Sequence, residues 1–473
     1  MKKSAKGKPP LVCKPQAATS LHGCLQAFKR LLTLTELGPT IQQTRLRFYD
    51  RIFTPTITLW YMIFRHLNHD HSLQAAVADL HSGGADRLAN NQSKLPSMQI
   101  QSLATTAFCK ASKRLPVTLL LNLLRAHATD VWNEIREDGK WHGLRVLLLD
   151  GSQLSLRPHP DIVKHFSTSS NGSGEIYWVL MRLVATFCFH TGMVVATAVG
   201  STTISEQALA IRQITKDFAG CLYIGDRNFG VRQMVQAVRE ASSDCLFRMT
   251  ELRAKKLIPD MSCFRRPGDY PVAWHPSRDD LRHAGCSQMP IAGRLIVARY
   301  SRPGFRTQWI YLFTTLLDAS PYPATELVEL YGVRWQVEIH LRYLKTQMDL
   351  NHLESKSTDM AEKEWLAGVM AYNLVRVTMS AAAAKRGISP SQLSFSTSRG
   401  LLLGWLLKNN SWLHFEHAFE KLLSSVARAT LPIRRKPRPP EPRATRHKRN
   451  PFPPLRGNRN LARKKLIDLN MKS

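Results

Sequence analysis

The stretch LRVLLLDG, residues 144–151, decides how the chain is to be read. An apolar run of this length, broken only by Arg145, suits a buried β-strand and is too short for a core helix. Asp150 would close that strand and Gly151 would turn the chain. Downstream, IYWVLMRLVATFCFH (176–190) and GMVVATAVG (192–200) flank the single Thr191 and predict a hairpin, with STSSNGSGE (167–175) as a loop before it. SEQALAIRQI (205–214) reads as a capped helix, CLYIGD (221–226) as a second buried strand, VRQMVQAVREA (231–241) as a helix and CLFRM (245–249) as a further strand. Strands alternating with helices in this way give an α/β class with a mixed sheet.

CLYIGD repeats the first motif, because a buried strand again ends in a carboxylate, Asp226. One Asp-Gly after a strand is more often a turn than a site. Two acidic strand ends in one sheet converge, and their repulsion calls for protonation or a cation, most economically a divalent metal.

Working outward, residues 38–135 carry helical periodicity and predict a helical N-terminal domain, to which the family resemblance described below assigns DNA binding, behind a basic leader at 1–37. Residues 140–250 hold the first part of the core, and 251–322, rich in proline and glycine with runs at 294–300 and 307–315, predict a β-rich insertion joined through SRPGFR (301–306). Helical pattern returns over 323–390, the rest of the core, and over 391–430 as C-terminal helices. The proline-rich basic segment 431–473 is expected to be disordered.

The 473 residues hold 66 Lys plus Arg against 35 Asp plus Glu, a net charge of +31. Of this, +5 lies in residues 1–15 and +12 in 431–473, which leaves +14 on the body. A basic body as well as a basic tail favours a polyanionic partner, with salt-sensitive binding through counterion release. The eight cysteines form no CxxC pair and read as reduced core residues, and no secretory leader or membrane span is expected, so the cytoplasm is the expected compartment. The run RHLNHDH (65–71) matches no metal-ligand spacing and reads as a polar helix end. Cys263, His275, His283 and Cys286 are too irregularly spaced for a zinc site.

The segment YGVRWQVEIHLRYLK, residues 331–345, supplies a third carboxylate. On one α-helix at 100° per residue, Tyr331, Arg334 and Lys345 fall at about +20°, −40° and −20° from Glu338, a single narrow stripe. A surface helix with i,i+4 ion pairs would also account for it. Yet a carboxylate beside two cations and a phenol suits a face that handles phosphate.

The order Asp150, Asp226, Glu338, with Glu338 inside Y-x2-R-x3-E-x6-K and with DGSQLSL and GDRNFG around the aspartates, resembles the DDE transposases of the insertion-sequence-four type. The resemblance implies a ribonuclease-H-like mixed sheet core with a β-rich insertion before the glutamate. It also implies catalytic Asp150, Asp226 and Glu338 holding two Mg²⁺ or Mn²⁺ ions, and phosphate contacts from Tyr331, Arg334 and Lys345. Base stacking by a tryptophan of the insertion makes Trp274 and Trp309 the candidates, with Trp274 expected in a loop and Trp309 alternating within a strand. The partners so implied are double-stranded DNA, as terminal inverted repeats and as target, and a second copy in a paired-end complex within a bacterial, nucleoid-associated setting. A DNA-binding protein without catalysis and a structure-specific nuclease are the competing classes. The first would not nick DNA, and the second would not join a 3′-hydroxyl to a target.

Overall fold

The computed structural model describes residues 29–30, 52–89, 91, 93–133, 135, 139–166, 168–171, 174–258, 260–283, 285–300, 308–408, 415–432 and 458–470. Nearly all of the basic leader, the SRPGFR connection and residues 433–457 of the tail lie outside them.

Strand β1 (Arg145–Leu156) is the spine of the sheet. Its residues alternate strictly, Val146 and Leu148 packing on one face and Leu147 and Leu149 on the other. Both faces are covered by helices, so the run is apolar throughout rather than amphipathic. Burying each such side chain contributes roughly 1.5–3 kcal/mol. The strand does not stop at Asp150 as expected. It continues through Gly151 to Leu156, because its neighbour supplies backbone partners all the way, from Leu147↔Cys188 to Leu156↔Val179.

That neighbour completes the hairpin. Strands β2 (Thr168–Asn171) and β3 (Gly174–Cys188) pair antiparallel where the sequence suggested a loop, and β3 then pairs with β4 (Val194–Ser201). On its other side β1 runs parallel with β5 (Cys221–Gly225), which runs parallel with β6 (Asp244–Arg248). The order β4-β3-β1-β5-β6, with three antiparallel strands followed by two parallel to the first, is a ribonuclease-H-like core.

The insertion is not a separate β unit. Its strands β7 (Gly268–Trp274), β8 (Ile291–Tyr300) and β9 (Gln308–Thr314) extend the same sheet, β9 pairing antiparallel with β6 through Leu246↔Thr314. A two-residue strand, β10 (His352–Leu353), pairs with the far end of β1 and brings the sheet to ten strands among the described residues.

One face of the sheet carries the helices Glu206–Ile211 and Arg232–Glu240. The other carries the long helix Thr358–Arg386, which is apolar enough to cross a membrane but whose apolar middle is wholly buried in the protein, as in a core helix. Three of its buried polar residues reach the β3–β4 hairpin: Asn373 exchanges two 2.9 Å hydrogen bonds with the backbone of Val194, Tyr372 donates to Gly192 O at 2.6 Å, and Arg376 donates to Thr191 O at 2.7 Å. Together they pin the β3–β4 turn. Gly192 sits there at φ +68°, where a Cβ would meet Arg376 and His340 at 2.5 Å.

The N-terminal helices, Pro55–Leu67 and Val117–Asn133 among them, pack on this same long helix and share its hydrophobic cluster. Buried Lys363 reaches across to the carbonyl of Lys113 at 3.1 Å. His66 ends the first of these helices buried, and His71 Nδ1 lies 2.9 Å from Arg65 O. At the other terminus, residues expected to be disordered form a helix, Arg459–Asn470. No proline follows Pro454, Leu, Ala, Arg and Lys favour helix, and Asn458 caps the start by accepting from Asn460 N at 2.8 Å.

Candidate active site

The β1–β5 register brings the two aspartates level. Its last pair is Leu148↔Ile224, and two residues further along each strand stand Asp150 and Asp226. Val146 and Leu148 share their cluster with Leu222 and Ile224, so the aspartates follow the stripe that faces the Thr358–Arg386 side. β5 ends at Gly225 while β1 continues, and the notch between them leaves both acids half-buried at its mouth. By the same register, Gly225↔Phe247 places Arg248 beside Asp226 on the next strand.

Glu338 arrives from above this face, though not on one continuous helix. The chain runs as α-helix over Ala324–Gly332, a 3₁₀ turn over Val333–Trp335, α-helix over Gln336–Arg342 and a π turn over Tyr343–Gln347. A 3₁₀ turn advances faster than 100° per residue and a π turn more slowly, so the single-stripe arithmetic fails over its full length. Arg334 and Glu338 still meet, at 3.0 Å, and Lys345 Nζ is directed instead to Ser152 Oγ on β1, at 3.3 Å. Val337, Leu341 and Leu344 anchor the segment in the core. His340 stacks on Phe187 of β3, ring centroids 5.4 Å apart, and lies 3.0 Å from the hydroxyl of Tyr372.

Arg334 is the centre of the constellation. Its Nη1 lies 3.7 Å from Asp150 Oδ2 and its Nη2 3.0 Å from Glu338 Oε1. Burial works against the charged guanidinium, but Tyr331, Asp150, Asp226 and Glu338 outweigh it and hold its pKa above the usual arginine value. The Asp150 carboxyl is pushed up to about 6, first by burial; Arg334 and the Gly151 N–H pull it down, while Asp226 and Glu206 push it further up. Negative charge here exceeds the cation available to it. Tyr331 is buried beside Arg334, its phenol raised by that burial, and Lys345 is lowered by the same cause.

Among the described residues no group of three or more His, Cys, Asp or Glu stands close enough to hold a metal, the insertion's Cys263, His275, His283 and Cys286 included. The three carboxylates are gathered about the Arg334 guanidinium rather than about one another. As hard oxygen donors with a charge excess they suit a divalent cation.

Neither candidate tryptophan is free. Trp274 closes strand β7 rather than sitting in a loop, because its register with Ile291 carries the ladder to that point, and its ring meets Phe313 edge-on at 5.0 Å. Trp309 lies half-buried in β9 against the same cluster. Among the described tryptophans the exposed ring is Trp335, 56% accessible, between Arg334 and Glu338. It stands inside the motif at 331–345, where residue type alone does not say whether a tryptophan is covered. Arg248 and Glu206 were missed for another reason: strand register and helix docking bring them here, not any spacing.

Residues 141–374, which span all three carboxylates, match the family model described as a transposase DDE domain. The transposase InsG for insertion sequence element IS4 of Escherichia coli (strain K12) is 25% identical over 308 residues, covering 64% of this chain and 68% of the relative. A cryo-EM structure of the piggyBac transposase synaptic complex with hairpin DNA aligns with 89% of this chain and 86% of its own at 12% identity and a TM-score of 0.39. The assignment rests on the first two of these together with the strand order. Together they support an insertion-sequence transposase of the DDE type, with residues 141–374 as its transposase domain.

Proposed function

We propose that Asp150, Asp226 and Glu338 are the catalytic carboxylates of a cut-and-paste transposition reaction on terminal inverted repeats. The observation that carries this is the level placement of Asp150 and Asp226 at the β1–β5 notch, with Glu338 tied to Asp150 through one guanidinium. Transposases of this family use divalent metal ions. Two, Mg²⁺ or Mn²⁺, held by these three residues would activate water or a DNA 3′-hydroxyl and stabilise the departing oxygen.

The chain's own groups do the rest. Arg334, which lies between Asp150 and Glu338, would supply donors to the nonbridging oxygens of the scissile phosphate. Lys345, held by Ser152 beside β1, contacts the adjacent phosphate. Tyr331, itself buried, orients Arg334. Trp335, exposed on the rim, offers a ring for an unpaired base at the cut end. The basic body and tail add sequence-independent grip, and two copies acting on paired DNA ends is the assembly that the family resemblance implies.

The test is Asp226→Ala with Mg²⁺ and DNA carrying the element's ends. Strand cleavage should fall on the order of a thousandfold or more, since the cations supply several kcal/mol of transition-state stabilisation, while end binding stays near wild type. Cleavage retained at the wild-type rate would reject the assignment.

A further inference from the structure

The Asp150–Asp226 notch is approached from the sheet's other face by a fourth carboxylate. Glu206 is the first residue of the helix Glu206–Ile211, whose start is fixed by Ser205 Oγ accepting from Ala208 N at 3.1 Å. Its carboxylate lies directly over Gly151, where a Cβ would stand 2.5 Å from Glu206 Cδ. Glycine beside Asp150 thus leaves the room that Glu206 fills, which is a reason for Gly151 distinct from a turn.

From there Glu206 accepts a hydrogen bond from Asn228 Nδ2. The next residue, Gln207, donates Nε2 to Asn228 O at 2.8 Å and to Asn228 Oδ1 at 2.7 Å. Asn228 is therefore held through its side-chain nitrogen, its side-chain oxygen and its backbone carbonyl, and its own N–H donates to Asp226 Oδ1 at 2.8 Å. Asp226 stands just past the end of β5, where no ladder orients it. The relay from Glu206 through Asn228 supplies what the sheet does not.

We propose that Glu206 is a positioning residue of the catalytic centre, acting through Asn228 to hold the Asp226 carboxylate in its cation-binding orientation. The proposal rests on Asp226 being a catalytic carboxylate. A glutamate serving only a helix start would act by its charge. Positioning needs an acceptor at this place and no charge, so Glu206→Gln, which keeps an acceptor oxygen for Asn228 Nδ2, separates the two.

The experiment measures Mn²⁺ binding by calorimetry on the DNA-free protein and single-turnover cleavage of pre-bound end DNA. Glu206→Ala should weaken Mn²⁺ binding about tenfold and slow cleavage about 10- to 100-fold, the scale of losing a group that orients a metal ligand. End binding should be unchanged. Glu206→Gln should stay close to wild type in both readouts, Asn228→Ala should match Glu206→Ala, and the double alanine variant should fall no further than either. Wild-type Mn²⁺ binding by Glu206→Ala, a loss in Glu206→Gln as deep as in alanine, or additive losses in the double variant would each overturn the relay. Should Glu206→Ala fail to fold, Glu206→Gln and Asn228→Ala carry the same expectations. Asp226→Ala run alongside keeps the two readings apart: if it cleaves normally the site itself is misassigned, whereas if it is dead and Glu206→Ala is not impaired, only the relay fails.

Discussion

Arg294 and Arg334 both meet carboxylates, and they are held in opposite ways. Arg294 on β8, its side chain 4% exposed, commits every nitrogen. It pairs with Asp269 of β7, Nε to Oδ1 at 3.1 Å, and its Nη1 donates to the carbonyls of Leu316, Asp318 and Tyr322 at 2.9, 3.3 and 3.0 Å. Arg334 is 19% exposed, reaches Asp150 only at 3.7 Å, and serves two further acids as well. A buried charge with all its donors used is a clamp, since its desolvation is offset in one fixed geometry. One guanidinium shared among three carboxylates at an opening leaves its donors less committed, and the Asp150 carboxyl is pushed up to about 6, first by burial and further by Asp226 and Glu206. The first arrangement serves stability and the second can accept another cation.

The sharpest way to break this contrast is to remove the clamp. Arg294→Ala leaves Asp269 unpaired and three carbonyls without a donor, and it should cost about 3–5 kcal/mol of stability in chemical denaturation. The molecules that remain folded should cleave at the normal rate. A loss below about 1 kcal/mol would show that Arg294 is not the clamp its contacts suggest.

Arg334→Gln should do the reverse. Single-turnover cleavage is expected to drop about a hundredfold, the scale of removing one aligned donor from a developing charge, with stability altered by less than about 1 kcal/mol. A stability loss comparable to that of Arg294→Ala, with the cleavage rate preserved, would erase the distinction between the two arginines. The smallest effect belongs to the rim of the same opening. Trp335→Ala should weaken binding of DNA with unpaired terminal bases by about 1–3 kcal/mol in an anisotropy titration and leave fully paired DNA nearly unaffected. Equal loss on both substrates would remove base stacking as its role.

Much of this site can be read along the chain. A strand that is apolar on both faces and ends near an acid is visible at 144–151 and again at 221–226, because alternation and side-chain type are local properties. The i,i+4 pairing of Arg334 with Glu338 is equally local and survives in the fold. The tail helix Arg459–Asn470 was legible too, had the proline-free final residues been weighed apart from the proline-rich run before them. Trp274 and Trp309 show the opposite limit: an aromatic in a β run looks the same whether a neighbouring sheet residue such as Phe313 covers it or not.

The amino-acid order by itself determined the core strands β1, β3, β4, β5 and β6, the three acids, the motif around Glu338 and the basic balance of charge. Only the tertiary structure decided that Asp150 lies within a longer strand, level with Asp226, and that the Glu338 segment breaks into four helical pieces. It also decided that Trp335 is the ring left in solvent and that Glu206 and Asn228 reach the aspartates from behind. The reason is physical. Alternation and propensity act over a few residues, whereas register between β1 and β5, the choice of which face a helix covers, and the excess of acid over base in one notch are set by contacts between segments far apart in the chain.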